Sequence, residues 1–443
     1  MMRRGWLWLC TLLFSPCILA ATTQPNVVIF LLDDVGQSDV GAFGNTVVHT
    51  PNIDQIARDG VRFDNAFLTT SSCSPSRASL LTGLYPTATG APKLDDPLPA
   101  AVTSLPQLLH DAGYYTASVG KWHLGEPFKV HFDRVVEPRE ESGAADWLPE
   151  LARRPRNKPF FFWLASKDAH SPYETWHPPL LHQNPRTVPL STYDDDNAFV
   201  REAMAGYYDE IARADRNIGL VIEALRKEGI LDNTLIMVLS DNGSEFGGAK
   251  TTLYDEGIKT PLVMRLPAVI PANIANQQLV SAVDLMPTVL AMAGLPAVPN
   301  TPGVSLLPTL QNPAVPVRNY IYAERNQHGQ PHFSRIIRTQ NFLYKRNFRN
   351  RKLCNPYWDT IWERKKARDA RHAELYDLQN DPSAMHNLLG NSQYKSQLIA
   401  LHAIMQKIMA ETQQDPPKLI MESCPQRPWA NRIDWPLSLP ENE

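Results

Sequence analysis

Cys73-Ser74-Pro75-Ser76-Arg77 sets a thiol one helical turn ahead of a guanidinium, with a turn-forming proline between them. From Ser76 onward the run Arg-Ala-Ser-Leu-Leu-Thr has helical character and Gly83 can end it, which predicts Cys73 at or just before a helix N-terminus. Such an end favours anions, and Arg77 adds a planar cation suited to a tetrahedral oxyanion such as sulfate or phosphate. Cys73 is read as the precursor of a nucleophile. The plainer alternative is a buried or disulfide-bonded cysteine beside a turn.

Two carboxylate groups supply a second kind of chemistry. Asp33-Asp34 ends the apolar run Asn26-Val-Val-Ile-Phe-Leu-Leu, and Asp241-Asn242-Gly243 ends Thr234-Leu-Ile-Met-Val-Leu-Ser. Adjacent carboxylates at the end of a buried strand repel each other and cost desolvation unless a cation neutralises them. Two such ends can form an all-oxygen cage for one hard cation, calcium rather than magnesium because the ligands are many and protein-derived. Taken singly, each pair could be a solvated loop with a capping aspartate.

Ionisable residues follow two more apolar runs: Lys121-Trp122-His123 after Tyr115-Thr-Ala-Ser-Val-Gly, and Lys167-Asp168-Ala169-His170 after Phe160-Phe-Phe-Trp-Leu-Ala-Ser. Lys250 closes a glycine-containing loop after Asp241-Asn242. A lone histidine is most often structural and a loop lysine most often solvated. Their recurrence after strand-like runs is what singles these out.

The elements that must position these groups alternate. Apolar runs rich in β-branched residues read as strands buried on both faces, and Asn52–Gly60, Ser104–Ala112 and Phe199–Gly229 read as helices between them. That order predicts an α/β fold, a mostly parallel central sheet covered by helices on both faces. Prolines crowd residues 296–318 as a linker or wrapped connection. Beyond them, Tyr320–Glu324, Ser334–Thr339 and Asn341–Lys345 read as antiparallel strands and Gln393–Thr412 as a terminal helix. The expected division is a signal peptide over 1–21, a catalytic domain over 22–312 and a smaller C-terminal α+β subdomain over 313–443.

Arg3 and Arg4, an apolar stretch and Ile-Leu-Ala-Ala read as a secretory signal, and no later stretch approaches the ~18 apolar residues of a membrane span. A net charge of -3 over 443 residues carries no nucleic-acid footprint. Cys10 and Cys17 leave with the signal, so Cys73, Cys354 and Cys424 remain. If the last two pair, Cys73 is the leftover thiol. The basic run Lys345–Arg371 reads first as a solvated surface and second as a polyanion-binding face.

Cys-Xaa-Pro-Xaa-Arg followed by Ala-Ser-Leu-Leu-Thr-Gly resembles the signature of the formylglycine-dependent sulfatases of the alkaline phosphatase superfamily. Gly-Lys-Trp-His-Leu-Gly, Ala-His-Ser-Pro and Lys250-Thr-Thr-Leu-Tyr-Asp-Glu-Gly resemble further segments of that family. The resemblance implies an alkaline-phosphatase-like sheet, a maturation enzyme that oxidises Cys73 to formylglycine, and calcium held by Asp33, Asp34, Asp241, Asn242 and the modified Cys73. It further implies that Arg77, Lys121 and Lys250 neutralise the sulfuryl oxygens, that His170 protonates the leaving oxygen or nitrogen, and that His123 takes a proton from the second hydroxyl of the hydrated aldehyde. Lys259 falls where the family usually has a structural arginine. Trp176, Glu324, Arg325 and His328 are expected as sugar contacts.

Sulfamidase-type enzymes acting on N-sulfated glucosamine ends are nearest in motif. Thr87 stands where many relatives carry histidine, however, and the loop Thr87–Pro99 is unlike theirs, which leaves the sugar and the N- or O-sulfate open. A phosphoryl-transfer hydrolase of the same superfamily would normally use Thr or Ser with further zinc ligands. A silent glycan-binding homologue would have lost Cys73, His123 or Lys250, and all are present. The one Asn-Xaa-Ser/Thr acceptor, Asn242-Gly-Ser, coincides with an expected metal ligand. Export into a compartment without N-glycosylation follows, a bacterial periplasm or exterior.

Overall fold

The computed structural model describes residues 24–173, 183–191, 194–350, 373–412 and 420–421. The expected signal peptide, Trp176, Cys354, Cys424 and most of the basic run lie outside the described residues.

The apolar runs form strands buried along nearly their whole length. Asn26–Leu32 pairs in parallel with Thr234–Ser240, from Asn26 opposite Thr234 to Leu32 opposite Ser240. On its other side it pairs in parallel with Phe160–Ala165, which pairs in parallel with Tyr115–Gly120. The eight-stranded sheet runs Arg134–Val136, Tyr115–Gly120, Phe160–Ala165, Asn26–Leu32, Thr234–Ser240, Leu262–Arg265, Val61–Phe63, Ile274–Asn276. Only Leu262–Arg265 is antiparallel to its neighbours, so the sheet is mostly parallel, as expected.

Alternating side chains explain why the runs are continuously apolar. Val27, Ile29 and Leu31 join one core with Leu80 and Leu81 of the helix Cys73–Thr82, Leu109 of Leu105–Asp111 and Met286 of Leu285–Met292. Val28, Phe30 and Leu32 join the other with Ile53 of Pro51–Arg58, Trp147 of Trp147–Arg153 and Ile211 of Ala198–Lys227. Both faces are therefore covered by helices, and a residue of either parity must be apolar. Asn197 caps the 30-residue helix by accepting from the Val200 N–H at 3.0 Å.

The order has a direct consequence for chemistry. Tyr115–Gly120, Phe160–Ala165, Asn26–Leu32 and Thr234–Ser240 are adjacent and parallel, so their carboxyl ends lie on one side of the sheet, each about 4.8 Å from the next. Lys121 and His123, Asp168 and His170, Asp33 and Asp34, and Asp241 and Asn242 all follow those ends.

The second sheet contains Ile321–His328, Gln330–Arg338, Phe342–Asn347 and Ala373–Asp377, antiparallel throughout. Leu398, Leu401 and Met405 of the helix Lys395–Glu411 pack with its Tyr322, Ile337 and Tyr344. The proline-crowded segment is a wrapped connection. Val304 N–H donates to Asp284 Oδ1 at 2.9 Å, Leu306 N–H to Thr288 Oγ1 at 2.8 Å, and Arg318 Nε to Asp284 Oδ2 at 2.8 Å.

The small sheet grips loops of the large one. The Glu324 N–H donates to the Thr69 carbonyl at 2.8 Å, Arg338 Nη2 meets Asp255 Oδ2 at 3.0 Å, and Tyr254 Oη donates to Glu374 Oε2 at 2.6 Å. Lys345 and Glu374 are cross-strand partners, fully buried, 3.9 Å apart. Lys345→Met is expected to destabilise the fold by about 3–5 kcal/mol in urea unfolding, because it leaves a buried carboxylate without its cation. The double variant with Glu374→Leu should recover much of that. A loss below about 1 kcal/mol in the single variant would mean that the hydroxyls of Tyr254 and Tyr376, which donate to Glu374 Oε2, satisfy the carboxylate without the Lys345 cation.

Candidate active site

At the head of the helix Cys73–Thr82, Ser72 is extended and Cys73 is the first helical residue, while Gly83 ends the helix in the left-handed region at φ 66°. The expected position of the thiol is met. Cys73 Sγ lies 4.0 Å from Asp34 Oδ1, and Asp33, Asp34, Cys73 and Asp241 each bring one donor atom within 4.8 Å of the others. Asp34 has φ 61°, a conformation an aspartate tolerates, and this turn follows the Asn26–Leu32 strand. Gly243 is needed for close approach, since a Cβ there would stand 1.9 Å from the Glu256 carbonyl oxygen.

Three cations enclose the three carboxylates. Arg77, fully buried, donates from Nε to Asp241 Oδ2 at 2.8 Å and from Nη1 to the Lys121 carbonyl at 2.9 Å, and its Nη2 stands 2.8 Å from Asp241 Oδ2 and 3.5 Å from Asp33 Oδ1. Lys121 Nζ bonds Asp33 Oδ2, and Lys250 Nζ bonds Asp34 Oδ2 and lies 3.2 Å from Glu245 Oε1. Arg77 was expected on the sulfuryl oxygens. As placed, its Nε bonds Asp241 and its Nη1 a backbone carbonyl, while Nη2 stands beside Asp241 and Asp33 with no hydrogen-bond partner among the described residues.

Burial and charge sort the acids. Burial raises Asp33, but the Lys121 and Arg77 charges override it and hold the carboxyl well below its ordinary range. Asp34 is pushed up to about 8 by burial and by Asp33, against the pull of Lys250. Asp241 is also raised, by burial and Asp33. Burial and the Asp241 charge push the Cys73 thiol well up, the reverse of a reactive thiolate's surroundings.

The donors suit a hard divalent cation. Asp33 Oδ1 and Asn242 Oδ1 are buried and lack a hydrogen-bond partner among the described residues, while Asn242 Nδ2 donates to Asp34 Oδ1 at 2.6 Å. Buried acceptor oxygens in this state, beside acids destabilised by one another, are the condition a cation relieves.

Two histidines flank the cluster. His170 Nδ1 lies 2.6 Å from the Ser171 carbonyl, which can only accept, so Nδ1 carries a proton and Nε2 faces Asp34 Oδ2 at 4.0 Å. His123, at φ 56°, places Nε2 2.6 Å from Asp95 Oδ1. Burial lowers its basicity, partly offset by Asp95.

The expected sugar contacts divide. His328 Nδ1 lies 2.9 Å from Ser72 Oγ, next to Cys73 in the chain, and burial together with Lys250 lowers its pKa to about 4. Arg325 is half-buried on the same strand, and its carbonyl accepts from Arg335 Nη1 at 3.1 Å. Glu324 is fully buried, accepts from the Thr87 N–H and from Tyr322 Oη at 3.1 Å, and faces Arg335 Nε at 3.3 Å, so both its carboxylate oxygens are engaged by the protein. Lys259 stands with its Nζ 5.9 Å from the Phe67 ring.

Sequence reasoning passed over Asp95, Glu245, Ser72 and Arg213, and it quoted Asp168 beside His170 without giving it a role. Arg213, from the long helix, donates to Asp168 at 3.2 Å, and the Asp168 loop exchanges backbone hydrogen bonds with Asp33 at 2.8 and 3.0 Å. A buried acid two residues before His170 was the available signal for Asp168. Asp95 and Glu245 gave none, lying in polar loops.

Comparison with known proteins agrees with this geometry. Residues 25–295 match the family model for Sulfatase, and residues 246–360 match that described as N-sulphoglucosamine sulphohydrolase, C-terminal. An ulvan-active sulfatase of Formosa agariphila is 33% identical over 402 residues, 85% of this chain and 78% of that protein. The human N-sulphoglucosamine sulphohydrolase is 28% identical over 461 residues, covering 88% of this chain and 91% of that protein. Among solved structures, BT4656 in complex with its substrate D-glucosamine-2-N,6-O-disulfate superposes with a TM-score of 0.73 at 23% identity, over 89% of this chain and 99% of that one. The matched span contains Cys73, the three carboxylates and the central sheet, and the chain belongs to the sulfatase family.

Proposed function

We propose that this chain is an exported sulfatase that hydrolyses sulfate esters or sulfamates of sulfated carbohydrates, with formylglycine at position 73 and calcium at Asp33, Asp34, Asp241 and Asn242. The observation that carries the reading is the placement of Cys73, at a helix head and buried against three carboxylates, where an unmodified thiol stays protonated. A site so built serves a group other than a thiolate.

Oxidised and hydrated, residue 73 would supply a gem-diol hydroxyl as nucleophile, and calcium held by Asp33, Asp34, Asp241 and Asn242 would supply the positive charge that lowers that hydroxyl's pKa. Lys121 and Lys250 have side chains 15% and 9% exposed and are the cations that can turn to the sulfuryl oxygens, while Arg77 keeps the carboxylates in place. His170 delivers a proton from Nε2 to the leaving atom. His123 accepts the proton from the second hydroxyl when sulfate departs.

Carbohydrate substrates are supported by the names of the relatives, and the match of residues 246–360 favours an amino sugar. The test is release of inorganic sulfate from defined saccharides sulfated singly at nitrogen, O-2 or O-6, with phosphate monoesters alongside. Turnover of phosphate esters alone would overturn the reading. Removal from chain ends rather than interiors is checked by product sizing on a long polymer, and export by fractionation of native cells.

His170→Ala should separate leaving groups. With a sugar alkoxide, which needs its proton, turnover should fall about 10²–10⁴-fold, whereas an activated aryl sulfate should lose much less. Equal losses on both, measured at saturating substrate, would remove His170 from the proton-donor role.

A further inference from the structure

We propose that Asp95 is the positioning residue for His123: its carboxylate fixes the imidazole proton on Nε2 and so turns the bare Nδ1 lone pair toward the protein interior as the atom that accepts a proton from the group at position 73. The proposal rests on the sulfatase reading for what His123 does, but the dyad stands on its own contacts.

Asp95 Oδ1 lies 2.6 Å from His123 Nε2. A carboxylate can only accept, so Nε2 must be the donor and, in the neutral ring, Nδ1 the acceptor. Nδ1 is buried and has no hydrogen-bond partner among the described residues. A neutral imidazole with one nitrogen tied to a carboxylate and the other unpaired has the arrangement of a base held by a third group.

The pair is built, not incidental. Asp95 and His123 both have left-handed backbones, φ 67° and 56°, conformations uncommon for residues other than glycine. The Asp95 N–H donates at 2.8 Å to the hydroxyl of Ser74, the residue after the nucleophile, and the Leu94 N–H donates at 3.0 Å to the Gln327 carbonyl of the small sheet. The backbone that carries the carboxylate is thereby fastened to the helix of Cys73 on one side and to the C-terminal sheet on the other. The Asp95 side chain is 75% exposed, so nothing in the core demands an acid there.

The test uses Asp95→Asn and Asp95→Gly in the full-length mature enzyme. Glycine removes the carboxylate without strain at φ 67°, and asparagine keeps the size but can donate to Nε2 and favour the opposite tautomer. Nitrogen-15 shifts of the His123 ring, assigned by loss of its signals in His123→Gln, should show Nε2–H in the parent and a mixed or Nδ1–H state in both variants. Turnover should fall about 10–100-fold in kcat with KM within about threefold, asparagine losing at least as much as glycine. Nδ1–H in the parent protein, or an unchanged tautomer with kcat within about twofold in both variants, would overturn the proposal. If the tautomer shifts as expected but the parent releases no sulfate, the dyad stands and the sulfatase reading fails instead.

Discussion

Cys73→Ser is expected to leave a folded protein that still binds a divalent cation but turns over sulfated substrate at least about 10⁴-fold more slowly. Serine fits the helix head as well as cysteine, so the fold gives no reason for loss. The loss is chemical. A serine hydroxyl can receive a sulfuryl group but has no second hydroxyl whose deprotonation by His123 would expel it, so at most one turnover occurs. Intact-peptide mass spectrometry of active parent enzyme should show the aldehyde at residue 73. Full activity from protein carrying only the thiol would sink the mechanism, as would multiple turnover by the serine variant.

Removing the cation should have the second largest effect. Asp33, Asp34 and Asp241 are fully buried, and an ion bound only by the folded chain adds about 4 kcal/mol at 1,000 times its dissociation constant. Chelation should abolish activity and lower the melting temperature, with calcium restoring both better than magnesium. A pH signature accompanies this. Metal-free, Asp34 is raised from 3.8 to about 8 by burial and Asp33. Its contribution to stability is therefore complete below the unfolded pKa and is lost as pH rises through about 8. Asp33 is shifted the other way, so its contribution is lost only at acid pH, outside that window. Calorimetry with chelator should show melting falling between about pH 5 and pH 8.5, and calcium affinity rising over the same range, since the ion displaces a proton. Identical melting curves with calcium and with chelator at both ends would refute the metal assignment.

Much of the candidate site's placement was legible because its residues follow strands, and strands announce themselves locally. Asn26–Leu32 and Thr234–Ser240 are continuous apolar runs ending in Asp-Asp and Asp-Asn, and parallel order alone carries those ends to one side of the sheet. The helix head at Cys73 was likewise set by a few neighbouring residues, from Pro75 to Gly83. What tertiary structure decided is who faces whom. Glu324 lies on a strand of a small antiparallel sheet, yet its cross-strand partner Arg335 and the backbone of Thr87, 237 residues away, bury it. Arg77 carries the charge of an anion binder, but three strand ends converge on it and turn it into a clamp on Asp241 and Asp33. The antiparallel strand Leu262–Arg265 and the pairing of Asp95 with His123 depend on chain crossings and on contacts 28 residues or more apart. Local composition reports what each residue prefers to be near, whereas partner choice in a buried charged cluster follows from the long-range packing that removes water from it.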